Sequence, residues 1–288
     1  MAGPATTDGG LYYRDLPLME MWRHNAHHLR DTALVEILSY LVFAGAMFAV
    51  VLMLRRAGVF RFRIRRTLAK AAQMRREIFD STLTLLIFQL AQVLFRVAAL
   101  AWGISFDLTQ RLPTWELALS FPLILVVHDA YFYWTHRAMH SRALFRFMHW
   151  EHHKSLEPTP WTAYSFAIPE AFVQGSFVVF YVALFPAMTA TIVFFAFVEI
   201  IHNVAIHSGI DLFPRPLVTG RRLGWIAGSI YHDLHHRTSN ANYGLYFRVW
   251  DRLMGTEHPD FVRIYDYVHS PQNDGGAYRL IGSVKVTE

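Results

Sequence analysis

Residues 121 to 140 read Phe-Pro-Leu-Ile-Leu-Val-Val-His-Asp-Ala-Tyr-Phe-Tyr-Trp-Thr-His-Arg-Ala-Met-His, an apolar run that continues directly into histidines. An apolar stretch of about 19 residues predicts a membrane-crossing helix, because the hydrocarbon core is about 30 Å thick and a helix rises 1.5 Å per residue. We place this span at about 115–134. On a continuous helix, His128, His136 and His140 fall within roughly 120° of one another. The stretch therefore predicts a membrane helix that presents imidazoles on one face.

The rest of the composition also indicates a membrane protein. Its 288 residues are 53% hydrophobic and 17% charged, with a mean hydropathy of +0.23, whereas soluble domains carry about 25% charge. Apolar runs at 34–54 and 82–106 predict two further spans, and the run at 166–201 is long enough for a hairpin of two helices broken at Pro186. We therefore predict an all-α, polytopic membrane helical bundle of about three spans plus a helical hairpin.

The distribution of basic residues predicts the orientation of this bundle. Nine arginines and lysines lie in the loop 55–77, whereas the loop 107–114 contains one arginine. The positive-inside rule places the basic loop in the cytoplasm, so the third span ends there in a cytoplasmic histidine-rich cap. The net charge of +5 is concentrated in this one loop, which favours contact with an anionic membrane surface over nucleic acid. We expect no nucleic-acid partner.

Histidine is the other unusual feature of the chain. There are 16 histidines and no cysteine, which excludes disulfides, cysteine-ligated zinc and a cysteine-held iron–sulfur cluster. Eleven histidines form four groups: His128, His136 and His140; His149, His152 and His153; His202 and His207; and His232, His235 and His236. In the second and fourth groups, the spacing i, i+3, i+4 places the side chains on one helical face. His202 and His207 are five residues apart and share a site only if the helix ends or distorts between them.

Eight to ten clustered imidazoles are more than one zinc ion needs and suit two metal ions. Imidazole also binds copper, iron and nickel, so the ligand type leaves the metal open. Iron explains the membrane setting best, because dioxygen and long apolar substrates both concentrate in lipid. The alternative is a histidine-rich membrane protein that binds or transports a divalent metal without redox catalysis. A transporter places ionisable groups near the bilayer midplane, whereas these histidines gather at one face and favour an enzyme.

Histidines also occur elsewhere in the chain. His24, His27 and His28 repeat the His-x-x-His-His spacing, but the predicted topology places them across the membrane from the other groups. His258 and His269 are isolated in sequence. We expect none of these five residues to bind metal.

Three histidine motifs occur in a fixed order: His136-Arg-Ala-Met-His140, His149-Trp-Glu-His152-His153 and His232-Asp-Leu-His235-His236. Together with His128-Asp129 and the later Trp250-Asp-Arg-Leu-Met-Gly-Thr256, they resemble the fatty acid hydroxylase/sterol desaturase superfamily. The resemblance covers about residues 80 to 257 and implies a helical membrane anchor beneath a cytoplasmic cap.

The resemblance also implies chemistry. Two iron ions form a di-iron centre and O2 is the co-substrate, so that the enzyme hydroxylates or desaturates a lipid. The substrate stays open among a sterol, a fatty acyl chain, a carotenoid and related lipids. The implied iron ligands are His136, His140, His149, His152, His153, His202, His207, His232, His235 and His236. His128 is implied to lie beside the ligands, and no catalytic residue beyond the ligands is identified.

The implied organisation has four parts: an N-terminal segment at 1–33, the first transmembrane helix and a basic interfacial loop at 34–80, the membrane-bound di-iron domain at 81–257, and a C-terminal tail at 258–288. No haem domain is visible in the sequence, so electrons come from a separate donor of the ferredoxin or cytochrome b5 type with its reductase. The expected location is a bacterial inner membrane or the endoplasmic reticulum.

Several side chains near the histidines have possible supporting roles. Asp129, Glu151, Glu199, Asp233 and Asp251 lie near the motifs and could orient imidazoles through the second ring nitrogen; a surface or salt-bridge role fits each of them equally well. The aromatic residues Trp161, Tyr164, Phe166 and Phe172 could line an apolar substrate channel, although aromatics are also common at membrane interfaces.

Overall fold

The structure, a computed structural model, describes residues 18–59, 62–65, 67–101, 113–185, 188–220 and 224–274. The α-helices are α1 Leu18–Arg56, α2 Ala71–Ala101, α3 Thr114–Met139, α4 Phe145–Met148, α5 Trp150–His153, α6 Ile168–Gly175, α7 Phe177–Leu184, α8 Thr189–Ile206, α9 Arg215–Val218, α10 Ser229–Thr238, α11 Val249–Met254 and α12 Phe261–Val268, with a 3₁₀ helix at Pro160–Tyr164. Within those ranges there is no β-strand, only two isolated bridges. The predicted all-α fold is confirmed.

Three of the described helices contain segments long and apolar enough to cross a membrane: Arg30–Arg56 in α1, Ala71–Ala99 in α2 and Thr189–Ile206 in α8. Large apolar side chains on α1 face outward, and Leu34, Leu38 and Val42 are each more than half exposed. Outward-facing apolar side chains are expected where a helix contacts lipid rather than water. Two of these segments correspond to the predicted spans at 34–54 and 82–106, and the third to the second half of the predicted hairpin. Helix α3, which contains the predicted third span at 115–134, is not among them.

The predicted third span and hairpin have a more varied structure. Helix α3 continues five residues beyond the predicted end at residue 134 and thereby includes His136. The hairpin region consists of the eight-residue helices α6 and α7 followed by α8. Phe185, which caps α7, is extended, as expected for a residue before proline. Pro186 and Ala187 themselves lie outside the described residues.

The membrane helices pack around the 3₁₀ helix. Tyr40 of α1, Leu85 of α2, Tyr164 of the 3₁₀ helix and Val204 of α8 belong to one buried cluster. The Tyr40 hydroxyl donates a hydrogen bond to the backbone oxygen of Trp161 at 2.8 Å. Because this 3₁₀ helix follows the second histidine motif, its packing fixes that motif against the end of the bundle.

A second buried cluster supports the last histidine motif. Ile64, from the segment between α1 and α2, packs with Leu234 of α10 and Ile264 of α12. The Ile64 amide donates to the Gly209 oxygen at 3.1 Å, and the buried Arg65 forms an ion pair with the buried Asp233. Part of the basic segment therefore lies inside the protein, against the helix that carries three histidines. Residues 261–268, within the predicted tail, form a helix that packs into the same cluster.

Candidate metal centre

Nine of the ten predicted ligands form two compact groups. His136, His140, His149, His153 and His235 make one group, and His152, His207, His232 and His236 make the other. Within each group, one ring nitrogen from every residue lies within 4.8 Å of the others. We call these groups the five-histidine group and the four-histidine group. The side chains converge although they come from α3, α5, α10 and the ends of α4 and α8.

Both triplets with the spacing i, i+3, i+4 are divided between the two groups. In α10, His232 and His236 belong to the four-histidine group, whereas His235 belongs to the five-histidine group. His149 and His153 similarly join one group, and His152 joins the other. Residues i and i+4 lie nearly above one another on a helix, whereas residue i+3 is turned by about 60° to the other side. Each triplet therefore serves two adjacent sites.

The ring nitrogens face one another at distances typical of shared metal ligands. The Nε2 atoms of His136 and His149 are 2.9 Å apart, and those of His153 and His235 are 3.1 Å apart. In the other group, His207 Nε2 lies 2.9 Å from His232 Nε2 and 3.4 Å from His152 Nε2. Two nitrogens bound to one ion at about 2.1 Å lie about 3.0 Å apart at a right angle and about 3.4 Å apart at the tetrahedral angle.

Backbone carbonyls determine which ring nitrogen carries the proton. His136 Nδ1 donates to the Tyr243 oxygen at 2.8 Å, His235 Nδ1 to the Ala241 oxygen at 2.7 Å, His207 Nδ1 to the Asn203 oxygen at 2.7 Å and His152 Nδ1 to the Ser165 oxygen at 3.3 Å. A neutral imidazole with a protonated Nδ1 presents a lone pair at Nε2. The two Nε2 lone pairs of His152 and His207 therefore point at each other, an arrangement that a bound cation stabilises.

Burial keeps these imidazoles neutral. It lowers the pKa of His153 and of His207 to about 3, with smaller contributions from neighbouring imidazoles. Burial also lowers the pKa of His152, His232 and His235 well below the usual value. Metal binding requires the neutral form of histidine. His140 Nε2 is buried and has no hydrogen-bond partner among the described residues. The donor set therefore fits imidazole-bound metal.

His202 is the predicted ligand that the structure does not bring into either group. Its Nε2 lies 3.0 Å from the Leu245 oxygen, and its ring packs against Tyr246. His207 comes directly after the last residue of α8. The helix therefore ends between His202 and His207, and only His207 belongs to the four-histidine group. Tyr246 also bonds to His128 Nδ1 at 2.9 Å, so His128 lies outside both groups.

The remaining histidines have other surroundings. His258 is buried, and its Nδ1 accepts a hydrogen bond from the Asp260 amide at 3.2 Å. His269 stacks on Tyr265. The side chains of His24, His27 and His28 lie outside the described residues.

Most of the predicted carboxylates contact backbone or other side chains instead of the ligands. Asp129 accepts hydrogen bonds from the amides of Tyr246 and Phe247, and Asp251 from those of Tyr243 and Gly244. Both hold the loop whose Tyr243 oxygen orients His136. The remaining three bind elsewhere: Glu151 to Lys154, Glu199 to Tyr164 and Asn203, and Asp233 to Arg65.

Among the described carboxylates, the one that contacts a predicted ligand was missed by the sequence analysis. Glu170 Oε1 lies 2.7 Å from His149 Nδ1, and both side chains are 1% exposed. Glu170 is in the first turn of the apolar helix α6. An acidic residue in an apolar, membrane-associated segment is a signal of function by itself, and that signal could have identified it.

A cavity lies beside the two groups, inside the helical bundle. Its lining residues come from six α-helices and from the 3₁₀ helix and the residues after it, and most are apolar or aromatic, including Phe132, Phe166 and Phe177. The Phe132 ring is 4.9 Å from the His136 ring, and the Phe166 ring is 5.1 Å from the His152 ring. The cavity therefore contacts the immediate neighbours of both groups. Of the four predicted channel aromatics, Tyr164 and Phe166 line it, whereas Trp161 and Phe172 pack in the buried cluster around Tyr40.

Comparison with known proteins supports the assignment drawn from these residues. Residues 121–256 match the family model described as fatty acid hydroxylase, and this range contains every histidine of both groups. Over this range the chain is similar to the fatty acid hydroxylase/sterol desaturase superfamily. The predicted resemblance is confirmed.

Curated members of the superfamily include similar sterol enzymes. A Delta(7)-sterol 5(6)-desaturase of Gibberella zeae is 32% identical over 164 residues, which cover 56% of this chain and 44% of the relative. Human lathosterol oxidase is 31% identical over 141 residues, which cover 49% of this chain and 46% of the relative. The chain thus spans less than half the length of these relatives. No solved structure matches it.

Proposed function

We propose that this protein is a membrane-bound, di-iron, O2-dependent oxidoreductase that hydroxylates or desaturates a lipid. The observation that carries the proposal is the pair of converging histidine groups beside an apolar cavity. Nitrogen-only coordination suits iron and leaves no thiol to be oxidised. The names of the similar sterol desaturases and of lathosterol oxidase support a lipid substrate.

In this proposal, each histidine group holds one iron ion. Iron bound there supplies the activation of O2 and the attack on an unactivated C–H bond. The chain itself contributes ligand orientation: the carbonyls of Tyr243, Asn203 and Ala241 keep the Nδ1 protons in place so that Nε2 faces the metal. Outer partners of this kind fix both the tautomer and the angle of a ligating ring.

The cavity contributes positioning and exclusion of water. Its wall joins side chains of α1, α2, α3 and α8 with Tyr164 of the 3₁₀ helix and with Phe166, two residues after it. An apolar lipid entering from the bilayer would be held with one part of its chain or ring system near His136 and His152. Fixing one C–H bond near the oxidant is the main way in which such a protein selects its product.

Orientation and partners complete the proposal. In this proposal the histidine groups lie on the cytoplasmic face of a bacterial inner membrane or of the endoplasmic reticulum, as the positive-inside rule favours for the basic loop between α1 and α2. A separate ferredoxin or cytochrome b5 with its reductase supplies electrons there. Cysteines introduced at the exposed positions Ser141 and Asn240 should react with an impermeant thiol reagent from the cytoplasmic side only. Reaction from opposite sides would contradict the shared site.

Metal content and product formation test the function directly. Protein purified from iron-replete cells should contain about two iron ions per chain, and lipid extracts of expressing cells should contain an oxidised lipid that disappears at low oxygen. His152→Ala and His235→Ala should lose iron and product because each removes one nitrogen from a different group. His258→Gln is the matched control and should keep both. One tightly held zinc and no iron would contradict the proposal and favour the non-redox alternative.

A further inference from the structure

The cavity contains polar groups that the metal centre does not use. Glu36 of α1, Gln174 of α6 and Glu199 of α8 line it among mostly apolar side chains. Binding cavities are typically apolar with a few polar groups that fix the orientation of the ligand, and polar residues inside a membrane bundle usually have a function. The hydrogen-bond partners of Glu199 and Gln174 distinguish these two side chains.

Glu199 is already satisfied by the protein. The Tyr164 hydroxyl donates to Glu199 Oε2 in a short hydrogen bond, and Asn203 Nδ2 donates to Glu199 Oε1 at 3.3 Å. Both carboxyl oxygens therefore have a donor within the bundle. These contacts tie α8 to the 3₁₀ helix and leave less capacity for a ligand.

Gln174 differs because only half of its amide is paired. Its side chain is 8% exposed, and Nε2 lies 3.4 Å from Thr135 Oγ1. The other end, Oε1, is buried without a hydrogen-bond partner among the described residues. Buried polar atoms are nearly always paired, so each exception requires a reason. A ligand in the cavity that supplies a donor would satisfy Oε1.

The position of Gln174 is close to the five-histidine group. Thr135, which holds one end of the amide, precedes His136 in α3. Glu170 lies one turn before Gln174 on α6 and contacts His149. Helix α6 thus holds Glu170 against His149 and presents the Gln174 amide to the neighbouring cavity. A substrate group bound at Gln174 would set the register of the lipid against the reacting centre.

We propose that Gln174 accepts a hydrogen bond from a hydroxyl group of the lipid substrate and thereby positions the carbon that is oxidised. This inference rests on the proposed function and names its substrate class, a largely apolar lipid with one hydroxyl group. A carbonyl lipid cannot donate to Oε1.

The test compares lipids that differ only at the oxygen. Binding of lathosterol is compared with that of its 3-deoxy and 3-keto derivatives, and binding of hexadecan-1-ol with that of hexadecane and hexadecanal, on purified full-length protein. The variant is Gln174→Met, which keeps the length and removes the amide. Gln92→Met is the matched control because it removes an amide of α2 from the wall of the same cavity. Iron content is measured for all three proteins.

At least one alcohol should bind the wild type and Gln92→Met about tenfold more tightly than its deoxy partner, as one net hydrogen bond predicts. In Gln174→Met this preference should disappear while the iron content stays unchanged. The preference is a ratio of two affinities measured on one protein, so a smaller fraction of folded protein in a variant does not change it.

Three results would overturn the proposal. They are no alcohol preference in the wild type, a preference that survives in Gln174→Met, and equal binding of the alcohol and its carbonyl derivative. The proposed function is decided separately by O2-dependent oxidation in the wild type. A wild type that shows the alcohol preference but oxidises no lipid would refute the proposed function and still support the role of Gln174. Oxidation of a lipid without the alcohol preference would support the proposed function and refute the role of Gln174.

Discussion

Replacing Glu170 tests whether a buried carboxylate controls metal binding at His149. Its Oε1 lies 2.7 Å from Nδ1, and both side chains are 1% exposed, so water cannot replace the lost partner. Removing the outer partner of a ligating histidine costs about 10- to 100-fold in metal affinity, or roughly 1.4–2.7 kcal/mol. Because the contact is fully buried, Glu170→Leu should approach the upper value. Glu170→Gln keeps an oxygen that can accept from Nδ1 and should lose about tenfold.

The assay is competition for iron between the purified protein and a chelator of known affinity, together with the iron content per chain. Glu151→Leu is the control, because Glu151 lies within the second histidine motif but pairs with Lys154 at 2.6 Å. It should bind iron like the wild type. Unchanged affinity in Glu170→Leu, or a loss in Glu151→Leu that equals it, would refute the assignment of Glu170 as the positioning carboxylate.

Further predictions follow from the same contacts. His207→Ala should lose the metal of the four-histidine group, whereas His202→Ala should keep two metals, because only His207 belongs to a group; metal analysis of both variants distinguishes them. Arg65→Met should destabilise the protein by about 3–5 kcal/mol, since it leaves the buried Asp233 without its ion partner. Thermal unfolding in detergent should show that the double variant Arg65→Met, Asp233→Leu regains part of the lost stability. Removing metal with a chelator should lower the unfolding temperature, because facing Nε2 lone pairs then repel one another, and added iron(II) should restore it; an unchanged temperature would contradict the shared-ligand geometry.

The helical architecture could be predicted because its causes are local. Long apolar runs require helices in a membrane, since backbone groups must pair within the segment, and α1, α2 and α8 contain such runs. The break near Pro186 also follows from a single residue. The predicted end of the third span was less accurate, because hydropathy falls at His136 although the helix continues to Met139.

Most members of the two histidine groups could be predicted together for the same reason, although His202 was predicted with them and lies outside both groups. Spacing of i, i+3, i+4 places three imidazoles on one face whatever the rest of the chain does. The sequence by itself therefore determined an all-helical membrane protein with histidine-rich faces and the kind of chemistry that such faces support.

Only the tertiary structure decided how those faces are used. The second and third motifs are each divided between the two groups, whereas His136 and His140 of the first motif share one group. This division depends on the directions from which α3, α5 and α10 approach, and a single helix carries no information about its neighbours. Glu170 reaches His149, Arg65 reaches Asp233 and His202 turns to Leu245 through the same long-range packing. Spacing along the chain specifies a direction on one helix, whereas a metal site or a cavity requires several directions to converge at one point.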